Sequence, residues 1–244
     1  EMLDGEYIKP LVTTQPTLVD TPQKLKQWFT EMMSAKTIAI DIETTGLLHY
    51  RDHILGVAFS AEEFKPYYIP MLVQEPDLPG SVVDKWIESG AEVTYLEIDD
   101  IEFFNFWGQD QPRVIDLMRK VCASPAEKGG QNFKFDYKFL KHRYNITIRN
   151  WTFDTMLMHY LIDENRSHSL KYVGGLYFPE MKGYDAILDT YIGKGKKEKK
   201  QFGKVPLQIL GKYGAYDTDV TLRLKNLFDR HMTAAMKKLH THFY

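Results

Sequence analysis

With 244 residues, of which 43% are hydrophobic and 14% aromatic, the chain can bury a sizeable core without disulfides or structural metal. A formal net charge of −2 excludes a wholesale electrostatic grip on duplex DNA, and a single cysteine, Cys122, excludes an internal disulfide and points to a cytoplasmic setting. No apolar run approaches the roughly 20 residues needed to cross a bilayer, and the opening "EMLDGEYIKP" is no signal peptide; starting on Glu1, the chain reads as a piece processed or cut from something longer.

The first helix is predicted in "TPQKLKQWFTEMM", with Thr21 as N-cap, Pro22 in the first turn, and Leu25, Trp28, Phe29 and Met32 on one face. A strand follows over Thr37–Glu43. "HILGVAFS" (53–60) and "FKPYYIPM" (64–71) come next at hairpin spacing, which predicts an antiparallel meander. The stretch from about 73 to 111 is crowded with acids and has weak periodicity and several Gly and Pro residues, so it reads as an insertion or elaborated loop. Helical patterns dominate beyond it: "RVIDLMRKVCA", "NFKFDYKFLKHRY", "FDTMLMHYLI" and "SLKYVGGLY", with a short strand at "ITIRN" (146–150). "GKGKKEKKQFGK" (193–204) is strongly basic, a solvated surface or a contact for phosphate. From Pro206 the chain closes on a long helix or a broken pair. Strands followed by mixed helices describe an α/β fold with a central mixed sheet. A single domain over 1–244 is expected, with its core at about 21–228.

Two acids interrupt the apolar strand "TIAIDIETTGL". Side chains alternate along a strand, so Ile38, Ile40 and Ile42 share one face while Asp41 and Glu43 share the other, with Cα atoms roughly 6.6–6.8 Å apart. Two carboxylates so placed repel each other unless a cation joins them, and an all-oxygen donor set selects Mg²⁺ or Mn²⁺ over zinc. A solvated corner would account for the pair equally well. In "GQNFKFDYKFL", Asn132 is expected to cap a largely buried helix and to stack with Asp136 four residues on. In "KYGAYDTDVTLRL", Tyr213 and Asp217 stand at i and i+4 on one helix face, and Asp219 points elsewhere.

Together, "DIET", "NFKFD" and "YGAYD" resemble, in order, the three motifs of DEDD-family 3′–5′ exonucleases, in the subgroup whose third motif is Tyr-x-x-x-Asp. The flanks "FDTMLMHYL", "SLKYVGGLY", "GKGKK" and "YGAYDTDVTLRL" are similar to the proofreading domain of DNA polymerase I and phage family-A polymerases, over about 21–228. The acidic insertion departs from the compact bacterial form. The resemblance implies an RNase H-like fold and two divalent ions, Mg²⁺ or Mn²⁺, held by Asp41, Glu43, Asp136 and Asp217. It implies that Asp41 bridges both ions, that Glu43 and Asp217 complete the tighter site, that Asp136 acts through water and that Tyr213 orients the attacking water.

Leu47 matches the family position that wedges against the terminal bases, and Asn132 and Phe135 match positions along the strand's path. Ordinary packing would also explain Leu47 and Phe135. Lys194 and Lys196, in the basic run, are candidate phosphate contacts. The implied substrate is a single-stranded or frayed DNA 3′ end, with the polymerase domain outside this chain, since no polymerase motif follows Leu224. An RNase D-like RNA exonuclease and a catalytically inactive binding module are the alternatives.

Overall fold

The computed structural model describes residues 13–89, 95–98, 100–192 and 202–243. Its centre is strand β2 (Thr37–Thr44), whose alternating side chains are packed on both faces. A six-stranded sheet is built around it in the order β1 (Thr17–Leu18), β4 (Tyr67–Pro70), β3 (Ile54–Ser60), β2, β8 (Glu127–Gly130), β9 (Trp151–Asp154). The expected meander β2–β3–β4 is antiparallel, whereas β8 and β9 add in parallel to β2 and β1 adds in parallel to β4, which makes the sheet mixed.

Ile38, Ile40 and Ile42 pack with Trp28 and Met32 of α1 (Pro22–Ser34), Val114 and Met118 of α3 (Gln111–Ala123), and Phe139 and Leu140 of α4 (Lys134–Tyr144). The Thr21 hydroxyl caps α1 by accepting from the Lys24 N–H at 3.3 Å, as its sequence requires. The other face carries α8 (Leu207–His231), α5 (Thr155–Ile162) and α6 (Leu170–Tyr177), whose Val220, Phe228, Met158 and Val173 pack with Ala39 and Phe153. The closing segment is indeed a broken pair: α8 ends at His231, and Thr233 caps α9 (Ala234–His240).

Two expectations are corrected. The acidic stretch is not one loop: it holds helix α2 (Gly80–Ser89) and strands β6 (Leu96–Ile98) and β7 (Ile101–Asn105), and β7 pairs with both β6 and β5 (Leu72–Val73). "ITIRN" is not a strand. Asn145 turns left-handed at φ 50° and the Ile146 N–H closes the end of α4 on Leu140, so Ile146 and Ile148 are buried as loop side chains. The strand lies instead at Trp151–Asp154, and "EKGG" supplies β8 beside it.

Candidate active site

Where β2 leaves the sheet, its pairing with β3 slips between Glu43 and Thr44. Helix α8 crosses close above: a Cβ on Gly214 would lie 3.0 Å from the Tyr68 ring and 3.3 Å from Glu43 Cγ. A Cβ there would have to push these neighbours aside, so glycine eases an approach that brings the next turn of α8, with Asp217, onto the Asp41–Glu43 face. Asp41, Glu43 and Asp217 each offer a carboxylate oxygen, and these oxygens lie within 4.8 Å of one another. That is on the order of the span across one ion bound by two oxygens at about 2.0–2.6 Å each. The set is all oxygen, so it fits a hard divalent cation.

Asp136 stands beside this group rather than in it. It is 2% exposed and accepts from the Ile42 N–H at 3.0 Å, which ties α4 to β2. Burial raises the pKa of Asp41, Glu43 and Asp136 well above the carboxylate range, and repulsion adds to it: from Asp217 on Asp41, and from Asp41 on Glu43 and on Asp136. Burial, then Asp217, likewise pushes the Tyr213 phenol upward, so it remains a neutral donor.

A cavity of about 150 Å³ opens on these groups, lined by Asp41, Glu43, Asp136, Tyr213 and Asp217 together with Leu47, Gln131, Phe135 and Phe202. Leu47 is 55% exposed at its mouth, on a loop pinned where Asp52 accepts from the Leu48 N–H at 2.8 Å. Phe135 is half-buried against Phe139, ring centroids 5.0 Å apart. Asp219 does point elsewhere: it is buried and accepts from Thr14 and from the Phe64 N–H.

Asn132 is not the N-cap of α4. It sits exposed in a left-handed turn at φ 54°, outside the cavity lining, and so does not stack with Asp136. Its place as an anchor belongs to Asp154, at the end of β9. The Asp154 carboxylate accepts from the N–H groups of Asn132 (2.9 Å), Phe133 (2.8 Å) and Met156 (3.0 Å), holding the entry to α4 and capping α5 at once. An Asp before a helical run was the available signal. Lys171 and Tyr184 also enter the site, both donating to Oδ1 of Asp217, and no motif spacing announces them. Lys194 and Lys196 lie outside the described residues.

The family described as 3′–5′ exonuclease matches residues 16–233. The chain belongs to that family. Among its relatives, DNA polymerase I of Borreliella burgdorferi is 30% identical over 231 residues, covering 93% of this chain and 20% of that protein. The DNA polymerase of Escherichia phage T5 is 28% identical over 203 residues, covering 78% of this chain and 20% of that protein. This chain thus spans about a fifth of these relatives.

Solved structures share the fold. The catalytic core of RRP6 from Trypanosoma brucei aligns with a TM-score of 0.59 at 18% identity, covering 96% of this chain and 52% of that one. T. brucei RNase D in complex with RNA U12 gives 0.56 at 16% identity, covering 86% and 61%, and Brucella melitensis NrnC with bound Mg²⁺ gives 0.51 at 16%, covering 94% and 89%. The mixed sheet flanked by helices is the RNase H-like fold that the motifs implied. No helix among the described residues is long and apolar enough to cross a membrane.

Proposed function

We propose that this exonuclease domain acts on DNA, removing nucleoside 5′-monophosphates one at a time from single-stranded or frayed 3′ ends as the proofreading part of a family-A DNA polymerase. The observation that carries the reading is the convergence of Asp41, Glu43 and Asp217, with Asp136 alongside, inside a family of 3′–5′ exonucleases. Similarity to DNA polymerases over most of this chain supports the choice of DNA and of a polymerase partner.

Asp41, Glu43 and Asp217 would hold one divalent ion, and Asp41 with Asp136 a second, Mg²⁺ or Mn²⁺ in either place. Such ions activate a water for in-line attack on phosphorus and neutralise the charge that develops on the leaving 3′-oxygen. The chain's own residues do the rest. Tyr213, kept protonated by its surroundings, orients the attacking water by hydrogen bonding rather than taking its proton. Leu47 and Phe135 line the cavity where the terminal bases would lie, and apolar contact with those bases suits a chain whose formal net charge is −2. Asn132, Lys194 and Lys196 remain candidates for contact with the strand.

A second reading, RNA trimming, draws on the fold shared with an RNase D bound to RNA. The two separate in one assay: matched 5′-labelled DNA and RNA oligonucleotides with Mg²⁺. Faster shortening of DNA supports the proposal. Faster shortening of RNA overturns it in favour of the RNase D-like reading.

A further inference from the structure

Lys171 belongs to none of the three motifs, yet its ammonium donates to Oδ1 of Asp217, and the Tyr184 hydroxyl donates to the same oxygen. The ammonium also donates to the Tyr184 hydroxyl and lies against two aromatic rings, 4.3 Å from the Tyr184 ring centroid and 4.1 Å from that of Tyr213. Those rings lie 6.1 Å apart and within 26° of parallel. Cation–π attraction to both rings helps hold the ammonium at this spot.

A divalent ion on Asp41, Glu43 and Asp217 must draw on the carboxylate that Lys171 already engages. Two cations at one oxygen repel, so tighter binding of one weakens the other. The Lys171 side chain is 30% exposed, so its ammonium can shift toward solvent without unpacking the core. We propose that Lys171 is a positioning residue that competes with the divalent ion for Asp217 and thereby sets how tightly the site takes metal. The proposal rests on reading Asp41, Glu43 and Asp217 as metal ligands. It assigns to α6 a control over metal loading that the motif residues alone do not contain.

The test measures Mn²⁺ affinity directly, by the electron paramagnetic resonance signal of free Mn²⁺, with no nucleic acid present. Wild type, Lys171→Met, Lys171→Arg and Asp217→Asn are compared. Lys171→Met keeps the length of the side chain without its charge, and should bind Mn²⁺ about tenfold more tightly, the scale of one charge-assisted hydrogen bond. Lys171→Arg, which keeps the charge, should bind no more tightly than wild type. Wild-type binding that is tight and equal to that of Lys171→Met overturns the proposal alone. Wild-type binding no better than that of Asp217→Asn overturns the metal-ligand reading, and the proposal with it.

A second measurement needs no variant, and decides the matter if Lys171→Met does not fold. Acetylation of the wild-type chain, read residue by residue by mass spectrometry, should be slow at Lys171 in EDTA and several-fold faster at saturating Mn²⁺. Equal labelling under both conditions overturns the proposal.

Discussion

Replacing Asp154 with alanine tests how the second acid is held in register with the first. The side chain is 3% exposed, and its two oxygens take three backbone N–H groups at 2.8–3.0 Å. Burial pushes its pKa up, while the N–H bonds from Phe133 and Asn132 pull it back. Loss of a helix N-cap costs ~0.5–2 kcal/mol, and hydrogen bonds to a charged group contribute ~1.5–3 kcal/mol each. These do not add, because the three share one carboxylate and water can reach the exposed Asn132. A loss of about 3 kcal/mol is expected, which at ~2–4 °C per kcal/mol for a chain of this size lowers Tm by roughly 6–12 °C.

The assay is urea denaturation followed by circular dichroism, in EDTA so that bound metal adds nothing. Asp154→Asn retains one acceptor oxygen and should recover about half of the loss. Activity should fall as well, since Asp136 sits in the first turn of the helix that Asp154 anchors. A loss below about 1 kcal/mol, or an asparagine variant no better than alanine, would refute this account of how α4 is placed.

Three further outcomes are expected. In EDTA, stability should decline as pH rises from about 4 toward neutrality. Burial and then neighbouring carboxylates raise Asp41, Glu43 and Asp136 in the folded chain, so folding favours their protonated forms. That contribution is full below the ordinary carboxylate value and is lost through the raised one; Asp136→Asn should flatten the slope of urea midpoint against pH, and an unchanged slope would count against it. Cys122 is fully buried, and burial pushes its thiol up to about 12, so iodoacetamide at pH 8 should modify it only on unfolding; labelling at the rate of a free thiol would contradict the packing. Because Leu47 is 55% exposed, Leu47→Ala should leave stability within ~0.5 kcal/mol of wild type. The same change should raise KM for single-stranded DNA roughly fivefold, the scale of one contact of ~1 kcal/mol; an unchanged KM would remove Leu47 from the substrate's path.

Much of the site was legible because its residues obey simple periods. Acids at alternate positions of an apolar strand, and Tyr213 and Asp217 one helical turn apart, stand out against their surroundings. What stayed hidden had no period to show it. "EKGG" shows no alternation, and Gly129 is glycine because a Cβ there would meet the Phe153 carbonyl oxygen at 2.0 Å, so β8 and β9 can close only without it. Asp154 was absorbed into the helix it caps. The strands β5, β6 and β7 run only two to five residues, too short for alternation to register. "ITIRN" alternates like a strand, yet its isoleucines are buried by a loop closing α4. Lys171 reaches Asp217 from another helix, a contact 46 residues distant in sequence.

The most direct test of the central claim is the release of 5′-mononucleotides from a 5′-labelled single-stranded DNA, followed in Mg²⁺, in Mn²⁺ and in EDTA, for the wild type and for Asp41→Ala. A ladder of shortening products that needs the metal, and that vanishes in Asp41→Ala while the variant's circular dichroism stays native, is the expected result. No shortening in either metal, or shortening that survives Asp41→Ala, would contradict it.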